Sequence, residues 1–195
     1  MEHESDGNER LTAASGAILF VLLAALGVTI LSIRPLLSAH VFIGMLLIPP
    51  VVLKLGSTGW RFLRYYRGAP EYVAKGPPLL PLRLLAPVVV VSTVVVFATG
   101  VGLLVQGPQR GILLGLHKAS FVVWLVATGI HVLAYLTRVP RLAAADWRTA
   151  APTDGTLARR LLLAGTIVAG AIVAIATVRY AGPWVHSAAL HHGDH

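Results

Sequence analysis

Five stretches of this sequence contain no Lys, Arg, Asp or Glu, and each is about as long as a bilayer is thick. An α-helix rises about 1.5 Å per residue, so roughly 20 residues cross the hydrocarbon core. The stretches are 11–33, 35–53, 84–109, 119–137 and 161–178. In lipid, a single segment satisfies its own backbone hydrogen bonds only as a helix. The sequence therefore predicts an all-α integral membrane protein, a helical bundle with five transmembrane helices.

The composition supports a membrane protein over a soluble one. Hydrophobic residues make up 56% of the chain and charged residues 12%, and the mean hydropathy is +0.76. A net charge of +8 could suit a nucleic-acid partner, but the basic residues lie between the apolar stretches and form no single basic face. The first ten residues, MEHESDGNER, are acidic, which argues against a signal peptide and for a first transmembrane helix.

Lys and Arg are concentrated in two of the four loops. The second loop and the helix end before it hold Lys54, Arg61, Arg64, Arg67, Lys75 and Arg83, and the fourth loop holds Arg138, Arg141, Arg148, Arg159 and Arg160. The opposite ends hold only Arg34, Arg110, Lys118 and Arg179. Because positively charged loops stay in the cytoplasm, this bias predicts a multi-pass cell-membrane protein with a cytoplasmic N-terminus and an exported C-terminus.

This topology divides the chain into five parts. We expect a cytoplasmic tail at 1–10, a four-span core at 11–138 with a cytoplasmic loop at 54–83, a second cytoplasmic loop at 139–160, a fifth span at 161–179 and an exported tail at 180–195. The second loop mixes Arg with five aromatic residues, a composition that suits either an interfacial anchor or a quinone or partner site. Pro49 and Pro50 are expected to kink or open the second span.

Two histidines interrupt the fourth apolar segment, LLGLHKASFVVWLVATGIHVLAY, at positions 117 and 131. Fourteen residues advance an α-helix by about 21 Å and almost four whole turns. His117 and His131 therefore share one face, with His117 near the outer side of the membrane and His131 near the inner side. The chain has no cysteine, which excludes iron–sulfur clusters, c-type haem attachment, thiolate zinc sites and disulfides.

Only one other predicted span contains a histidine, which is His40 near the outer end of the second span. The second and fourth spans run in the same direction, so His40 and His117 should lie at similar depth. Haem iron accepts one axial imidazole from each side of the porphyrin, and two helices of a bundle can supply one each. Gly44, Gly100 and Gly102 would let a porphyrin approach the backbone, although small residues also suit plain helix packing.

The segments AHVFIG and LHKASFVVWLVATGIHV resemble the four-helix membrane cytochrome b fold, which includes bacterial cytochrome b561-type proteins and ferric-reductase-like transmembrane domains. The resemblance covers about the first four spans. It implies a four-helix, cytochrome b-like core that binds haem b through histidine pairs on parallel helices, with the fifth span packed outside. The loops GSTGWRFLRYYRG and KGPPLLPLRLLAP resemble those of membrane proteins associated with molybdopterin oxidoreductases, which implies such a partner.

The sequence departs from a two-haem pattern at one position. Lys54 lies fourteen residues after His40, where a complete set of ligands would have a histidine facing His131. The resemblance therefore implies one haem between His40 and His117 and leaves a second haem open. Lys54 could snorkel to the cytoplasmic headgroups, pair with a haem propionate or ligate iron as a neutral amine. His131 could be a satisfied buried histidine, or could serve a second haem or a quinone.

The remaining candidate residues lie at the outer face. Lys118 could neutralise a haem propionate or could simply mark a helix end. The tail PWVHSAALHHGDH is either solvated or a weak Zn²⁺ or Cu²⁺ site, and its candidate ligands are His186, His191, His192, Asp194 and His195.

The leading hypothesis is a membrane b-type cytochrome that transfers single electrons between a quinol or other membrane donor and a partner oxidoreductase. The alternative is a non-redox membrane subunit, for assembly or transport, whose histidines are structural. The sequence leaves open whether the protein is an enzyme. Since it shows no Gly-rich nucleotide or flavin fingerprint, an electron-transfer subunit is expected rather than a stand-alone enzyme.

Overall fold

A computed structural model of the protein describes residues 4–76, 80–108, 111–135 and 155–190. In these ranges the regular structure is helical: α1 (Glu4–Leu31), α2 (Leu37–Tyr66), α3 (Pro70–Ala74), α4 (Leu80–Gln106), α5 (Ile112–Tyr135), α6 (Thr156–Thr177) and α7 (Gly182–Leu190), with a 3-10 turn at Val178–Ala181. Most of the predicted fourth loop lies outside the described residues, and so does the end of the tail with His191, His192, Asp194 and His195.

Five helical segments are long and apolar enough to cross a membrane: α1, α2, α4, α5 and the run Thr156–Ser187. Large apolar side chains on them are exposed, among them Val21 at 66% and Leu133 at 72%. Such exposure is costly in water and favourable in lipid, because the surrounding hydrocarbon replaces a protein partner. The predicted all-helical membrane bundle is confirmed.

The helices extend beyond the charge-free stretches. α1 begins at Glu4, and α2 continues through Lys54 to Tyr66, so much of the segment predicted as the loop 54–83 is helical. Lys54 and the arginines beyond it limit how far α2 stays in hydrocarbon, but they do not end a helix. α2 ends at Tyr66, and two residues later Gly68 has a φ of 75°, a left-handed conformation that glycine adopts without strain.

Pro49 and Pro50 lie inside α2, and the helix continues through both. A proline lacks an N–H, so Pro50 leaves the carbonyl of Leu46, four residues earlier, without its helical donor. That carbonyl lies directly against Gly170 of α6, where an added Cβ would overlap its oxygen. The backbone of α6 thus covers the site where proline interrupts the hydrogen bonds of α2, and only a residue without a side chain fits there.

The five long helices pack as two groups. α2 packs against α1 on one side and α6 on the other, while α4 packs against α5. Contact between the groups is sparse in the described residues. α2 meets α4, where Arg83 donates to the Tyr66 hydroxyl at 2.7 Å, and Trp184 Nε1 of α7 donates to the Leu103 carbonyl of α4 at 3.2 Å. The backbones of α2 and α5 therefore stay apart.

The acidic start of α1 binds the aromatic and basic end of α2. The Glu4 carboxylate accepts hydrogen bonds from Trp60 Nε1 at 2.9 Å, from Arg64 at 3.2 Å and from the Tyr72 hydroxyl at 3.3 Å. Burial raises the pKa of the Tyr72 phenol, and the neighbouring negative charge of Glu4 raises it further. We call this contact, together with the Lys75 ion pairs described next, the N-terminal clamp.

Lys75, just beyond α3, completes the N-terminal clamp. Its Nζ lies 2.6 Å from Asp6 and 2.8 Å from Glu9. Burial by itself would lower the pKa of Lys75, but hydrogen bonds from its ammonium to these two carboxylates raise the pKa overall. The clamp ties the first turns of α1 to the segment between α2 and α4, so the predicted N-terminal tail is part of the folded bundle.

Replacing Gly170 by Ala is expected to lower the thermal unfolding midpoint of the purified protein in detergent. The new methyl group would overlap the Leu46 carbonyl oxygen and push α6 off α2; such overpacking typically costs about 1–3 kcal/mol. Gly165→Ala is the matched control on the same helix, because a Cβ there meets nothing within 4 Å. Equal midpoints for the two variants would contradict the close approach of the two backbones.

Candidate functional site

His40 lies in the first turn of α2, beside the end of α1. Its Nδ1 is 2.9 Å from the Thr29 hydroxyl oxygen, and that hydroxyl donates to the Leu26 carbonyl at 2.5 Å. Because a hydroxyl has only one hydrogen, Thr29 must accept the hydrogen bond from His40 Nδ1–H. The unprotonated nitrogen of His40 is therefore Nε2, on the side of the ring away from α1.

His117 lies in the second turn of α5, beside the end of α4. Its Nδ1 is 3.1 Å from both the Val96 carbonyl oxygen and the Thr99 hydroxyl oxygen. A carbonyl oxygen can only accept, so Nδ1 of His117 also carries the hydrogen. The Thr99 hydroxyl donates to the Val95 carbonyl at 2.7 Å. His117 thus has the same tautomer as His40, with its unprotonated Nε2 on the side away from α4.

The structure brings His40 and His117 to the same end of the bundle. Both lie near the start of their helices, and their charges are close enough to interact. Each ring is bonded through Nδ1 to its own neighbouring helix, His40 to α1 and His117 to α4. The Nε2 atom of each ring is thus the one that is not bonded to the neighbouring helix.

The glycines near the two histidines differ in what they do. A Cβ at Gly44 would meet nothing within 4 Å, so the surface of α2 one turn after His40 is open. A Cβ at Gly100 would lie 3.2 Å from Cε1 of His117, and one at Gly102 would lie 3.1 Å from the Leu113 side chain. Gly100 and Gly102 therefore let α5 approach α4, and Gly100 makes room for the His117 ring.

Lys54 lies further along α2, near the opposite end of the bundle. Its Nζ donates to the Thr12 carbonyl of α1 at 2.6 Å. A Cβ at Gly16 would come within 3.2 Å of the same nitrogen, so Gly16 leaves the space that the ammonium occupies. The amine of Lys54 is thus held at the interface of α1 and α2 by a backbone acceptor.

His131 lies on α5, close enough to Lys54 for a positive charge on each side chain to repel the other. The ring of His131 packs at 5.0 Å from the ring of Tyr135. Its Nδ1 and the Thr128 hydroxyl one turn earlier are both buried and have no hydrogen-bond partner among the described residues. The bundle therefore has a His–His pair near one end and a Lys–His pair near the other.

The sequence analysis missed the threonines that hold these side chains. Thr29, Thr99 and Thr12 lie in apolar stretches, where a threonine hydroxyl commonly bonds to its own helix and so indicates no partner. Only the positions of these residues could have indicated the contacts. Thr29 and His40 lie on either side of the short turn between α1 and α2, and Thr99 and His117 lie on either side of the turn between α4 and α5. A residue near the end of one helix lies beside a residue near the start of the next.

Lys118 and His186 lie apart from these pairs. Lys118 is exposed and follows His117 directly, so it points from a different side of α5. His186 is exposed on α7, and its Nδ1 bonds to the Gly182 carbonyl of the same helix at 2.8 Å. The other candidate ligands of the tail lie outside the described residues.

Among the residues that the structure describes, no group of three or more His, Asp or Glu side chains could hold a metal ion. A haem makes a different demand, since its porphyrin supplies four nitrogens and the protein adds only axial ligands. Comparison with protein-family models, with curated proteins and with solved structures finds no match for this chain. The fold thus defines an all-α, multi-pass membrane protein, and its function is argued from the two residue pairs.

In the haem-free protein, His40 and His117 should both be Nδ1–H tautomers, as observed by long-range ¹H–¹⁵N correlations in ¹⁵N-histidine-labelled samples. Thr29→Val removes the acceptor of His40 and should let that ring sample both tautomers, while His117 stays unchanged. Thr166→Val is the control, because the Thr166 hydroxyl bonds to Leu163 of its own helix at 2.8 Å. An Nε2–H tautomer at either ring of the unmodified protein would disprove the assignment.

Proposed function

We propose that this protein is a membrane b-type cytochrome in which His40 and His117 are the axial ligands of one haem b. It transfers single electrons between a quinol or other membrane donor and a partner oxidoreductase. The observation that carries the proposal is the shared tautomer of the two rings. Each imidazole donates from Nδ1 to its neighbouring helix and leaves the lone pair of Nε2 available, which is what a metal-bound histidine requires.

The arrangement of the helices also fits a flat macrocycle. α2 and α5 have the histidines at one depth while their backbones stay apart, and the open surface at Gly44 lies one turn from His40. Haem bound at this position would supply a one-electron couple between ferric and ferrous iron. Lys118 is exposed at the same end of α5 and provides a positive charge for the haem carboxylates.

The residues around the two histidines have positioning roles. Thr29 and the Val96 carbonyl accept hydrogen bonds from Nδ1–H, which fixes the ring orientations and makes each imidazole a better electron donor to a metal. Gly100 prevents a clash that would push the His117 ring off α4. The apolar side chains of the surrounding helices exclude water and so set the polarity near the iron.

One haem is proposed rather than two because of Lys54. Lys54 Nζ donates a hydrogen to the Thr12 carbonyl and lies beside Gly16, so the amine is held against α1. With the amine held there, no other described residue is proposed as a second ligand opposite His131.

The positive-inside bias supports a cell-membrane location with a cytoplasmic N-terminus and an exported C-terminus. The His40–His117 pair then lies near the outer face, where an exported oxidoreductase, such as a molybdopterin enzyme, could exchange electrons with it. The sequence shows no Gly-rich nucleotide or flavin fingerprint. We therefore infer an electron-transfer subunit rather than a stand-alone enzyme.

One observation favours a second candidate, a non-redox membrane subunit for assembly or transport. Both His40 and His117 are hydrogen-bonded to a neighbouring helix, and such bonds stabilise helix pairs in a membrane by roughly 1 kcal/mol or less. In that case the imidazoles are structural, and their removal would weaken the bundle without changing any cofactor.

Protein purified from haem-replete cells should show a reduced b-type spectrum and a pyridine haemochrome yield of one haem per chain. His40→Ala and His117→Ala should each abolish the spectrum, because one remaining imidazole holds the iron from one side only.

His186→Ala is the control for a histidine bonded within its own helix and should keep the full spectrum. A colourless, folded protein would reject the cytochrome in favour of the non-redox subunit. Loss of the haem in His131→Ala, with retention in His40→Ala, would move the site to the other end of the bundle.

A further inference from the structure

A row of polar groups runs between α1 and α2 from Lys54 towards the membrane surface. Thr12 Oγ1 donates to Ser57 Oγ at 3.0 Å, and Ser57 Oγ donates to the Lys54 carbonyl at 3.1 Å. Asn8 Nδ2 donates to the Ser57 carbonyl at 3.1 Å. We call Asn8, Thr12 and Ser57 the polar row. Ser57 is buried at 7% exposure, so the row lies inside the protein and not on its lipid face.

The polar row ends at the N-terminal clamp, where the protein meets the membrane surface. Asn8 is one turn from Glu4, whose carboxylate is half exposed, and Glu9 belongs to the ion pair with Lys75. Water therefore reaches the start of the row, while its other limit is the ammonium of Lys54, bonded to Thr12. From the surface inward, the row presents the Asn8 amide, the Ser57 and Thr12 hydroxyls and then the Lys54 amine.

Beyond Lys54, the polar groups continue on α5. His131 lies close to Lys54, and its buried Nδ1 has no hydrogen-bond partner within the described part of the chain. The Thr128 hydroxyl, also without a described partner, is one turn away. An unpartnered ring nitrogen in hydrocarbon is costly, and a hydrogen bond accepted from a neighbouring donor would relieve part of that cost.

The charged and titratable groups around this pair come from four helices. Arg61 of α2 is close enough to Lys54 for their charges to interact, and Tyr135 of α5 packs on His131. On α1, Asp6 and Glu9 are ion-paired with Lys75, towards the surface. On α6, Arg159 lies beside Gly7, more than a turn nearer the start of α1 than Thr12. In the described residues, then, the charge facing Lys54 and His131 at short range is positive.

We propose that Lys54 and His131 form a proton-exchange site that the polar row connects to the cytoplasmic surface, and that this site takes up a proton when the haem is reduced. The inference rests on the proposed function. Reduction of a bound haem by one electron from the donor would add one negative charge near the outer face, and a neutral nitrogen of the Lys54–His131 pair would then bind a proton from cytoplasmic water. On reoxidation the same proton would leave by the same route.

The coupling is electrostatic and acts along the bundle. His117 and His131 are separated by about 21 Å of helix, and charges interact over such a distance more strongly in hydrocarbon than in water. The uptake is therefore expected to be less than one proton per electron. A site of this kind also explains the Lys54–His131 pair, which the electron-transfer function alone leaves without a role.

The test measures proton uptake on reduction of the haem-loaded protein in weakly buffered detergent, with a pH-indicator dye. The unmodified protein should take up protons as the reduced-haem absorption appears. Lys54→Met and His131→Gln should each lower the uptake at least twofold and leave the haem spectrum unchanged. Ser57→Ala should preserve its extent and slow its rate, because it interrupts the row without removing a titrating group.

Ser92→Ala is the matched control for a buried serine, since its hydroxyl bonds only within α4, to the Val88 carbonyl at 2.7 Å and the Val89 carbonyl at 3.3 Å. Reduction without proton uptake in the unmodified protein would overturn the proposal. Full proton uptake in both Lys54→Met and His131→Gln would also overturn it, because the protons would then be binding to the haem carboxylates. If Lys54→Met does not fold, proton uptake by the unmodified protein and by His131→Gln decides whether the proposal holds. A protein without haem would defeat the proposed function itself.

Discussion

Hydrocarbon offers no hydrogen bonds, so every polar group placed in it must find a partner inside the protein, and the packing of this bundle follows from that constraint. Pro50 leaves the Leu46 carbonyl without its helical donor, and the backbone of α6 at Gly170 packs against that carbonyl. His40 and His117 each use Nδ1 to bond with the preceding helix. The polar groups thus decide which helices meet, and the apolar surface that surrounds them faces lipid.

α1 and α4 are the helices that orient the functional side chains of α2 and α5. α1 provides Thr29 for His40 near one end and the Thr12 carbonyl for Lys54 near the other. α4 provides the Val96 carbonyl for His117. No group from α1 or α4 that the structure describes satisfies His131 Nδ1 in the same way. The two pairs have the same spacing along their helices, but only the His–His pair has both rings held in a tautomer that leaves Nε2 free.

The sequence alone predicted the five spans and the shared helix face of His117 and His131. Both follow from periodicity and from the absence of charge, which hydrocarbon enforces strictly. It was not sufficient for the helix ends, since the residues from Lys54 to Tyr66 are polar enough for a loop yet continue α2. Nor could it place Gly170 on Leu46, or Glu4 on Trp60 and Tyr72, because these contacts join residues more than fifty positions apart and depend on how whole helices pack.

The division of the bundle into two groups bears on what holds it together. α1, α2 and α6 form one closely packed unit, and α4 and α5 form another. The described residues make few contacts between the units, among them those of α2 with α4 and of Trp184 with Leu103. Helices in lipid gain little from burying apolar side chains against each other, because lipid is equally apolar. A ligand bound to both units would therefore contribute directly to their association, since whatever binds only the assembled state stabilises it. In the proposed haem site, the Nε2 atoms of His40 and His117, one on each unit, would make such a link.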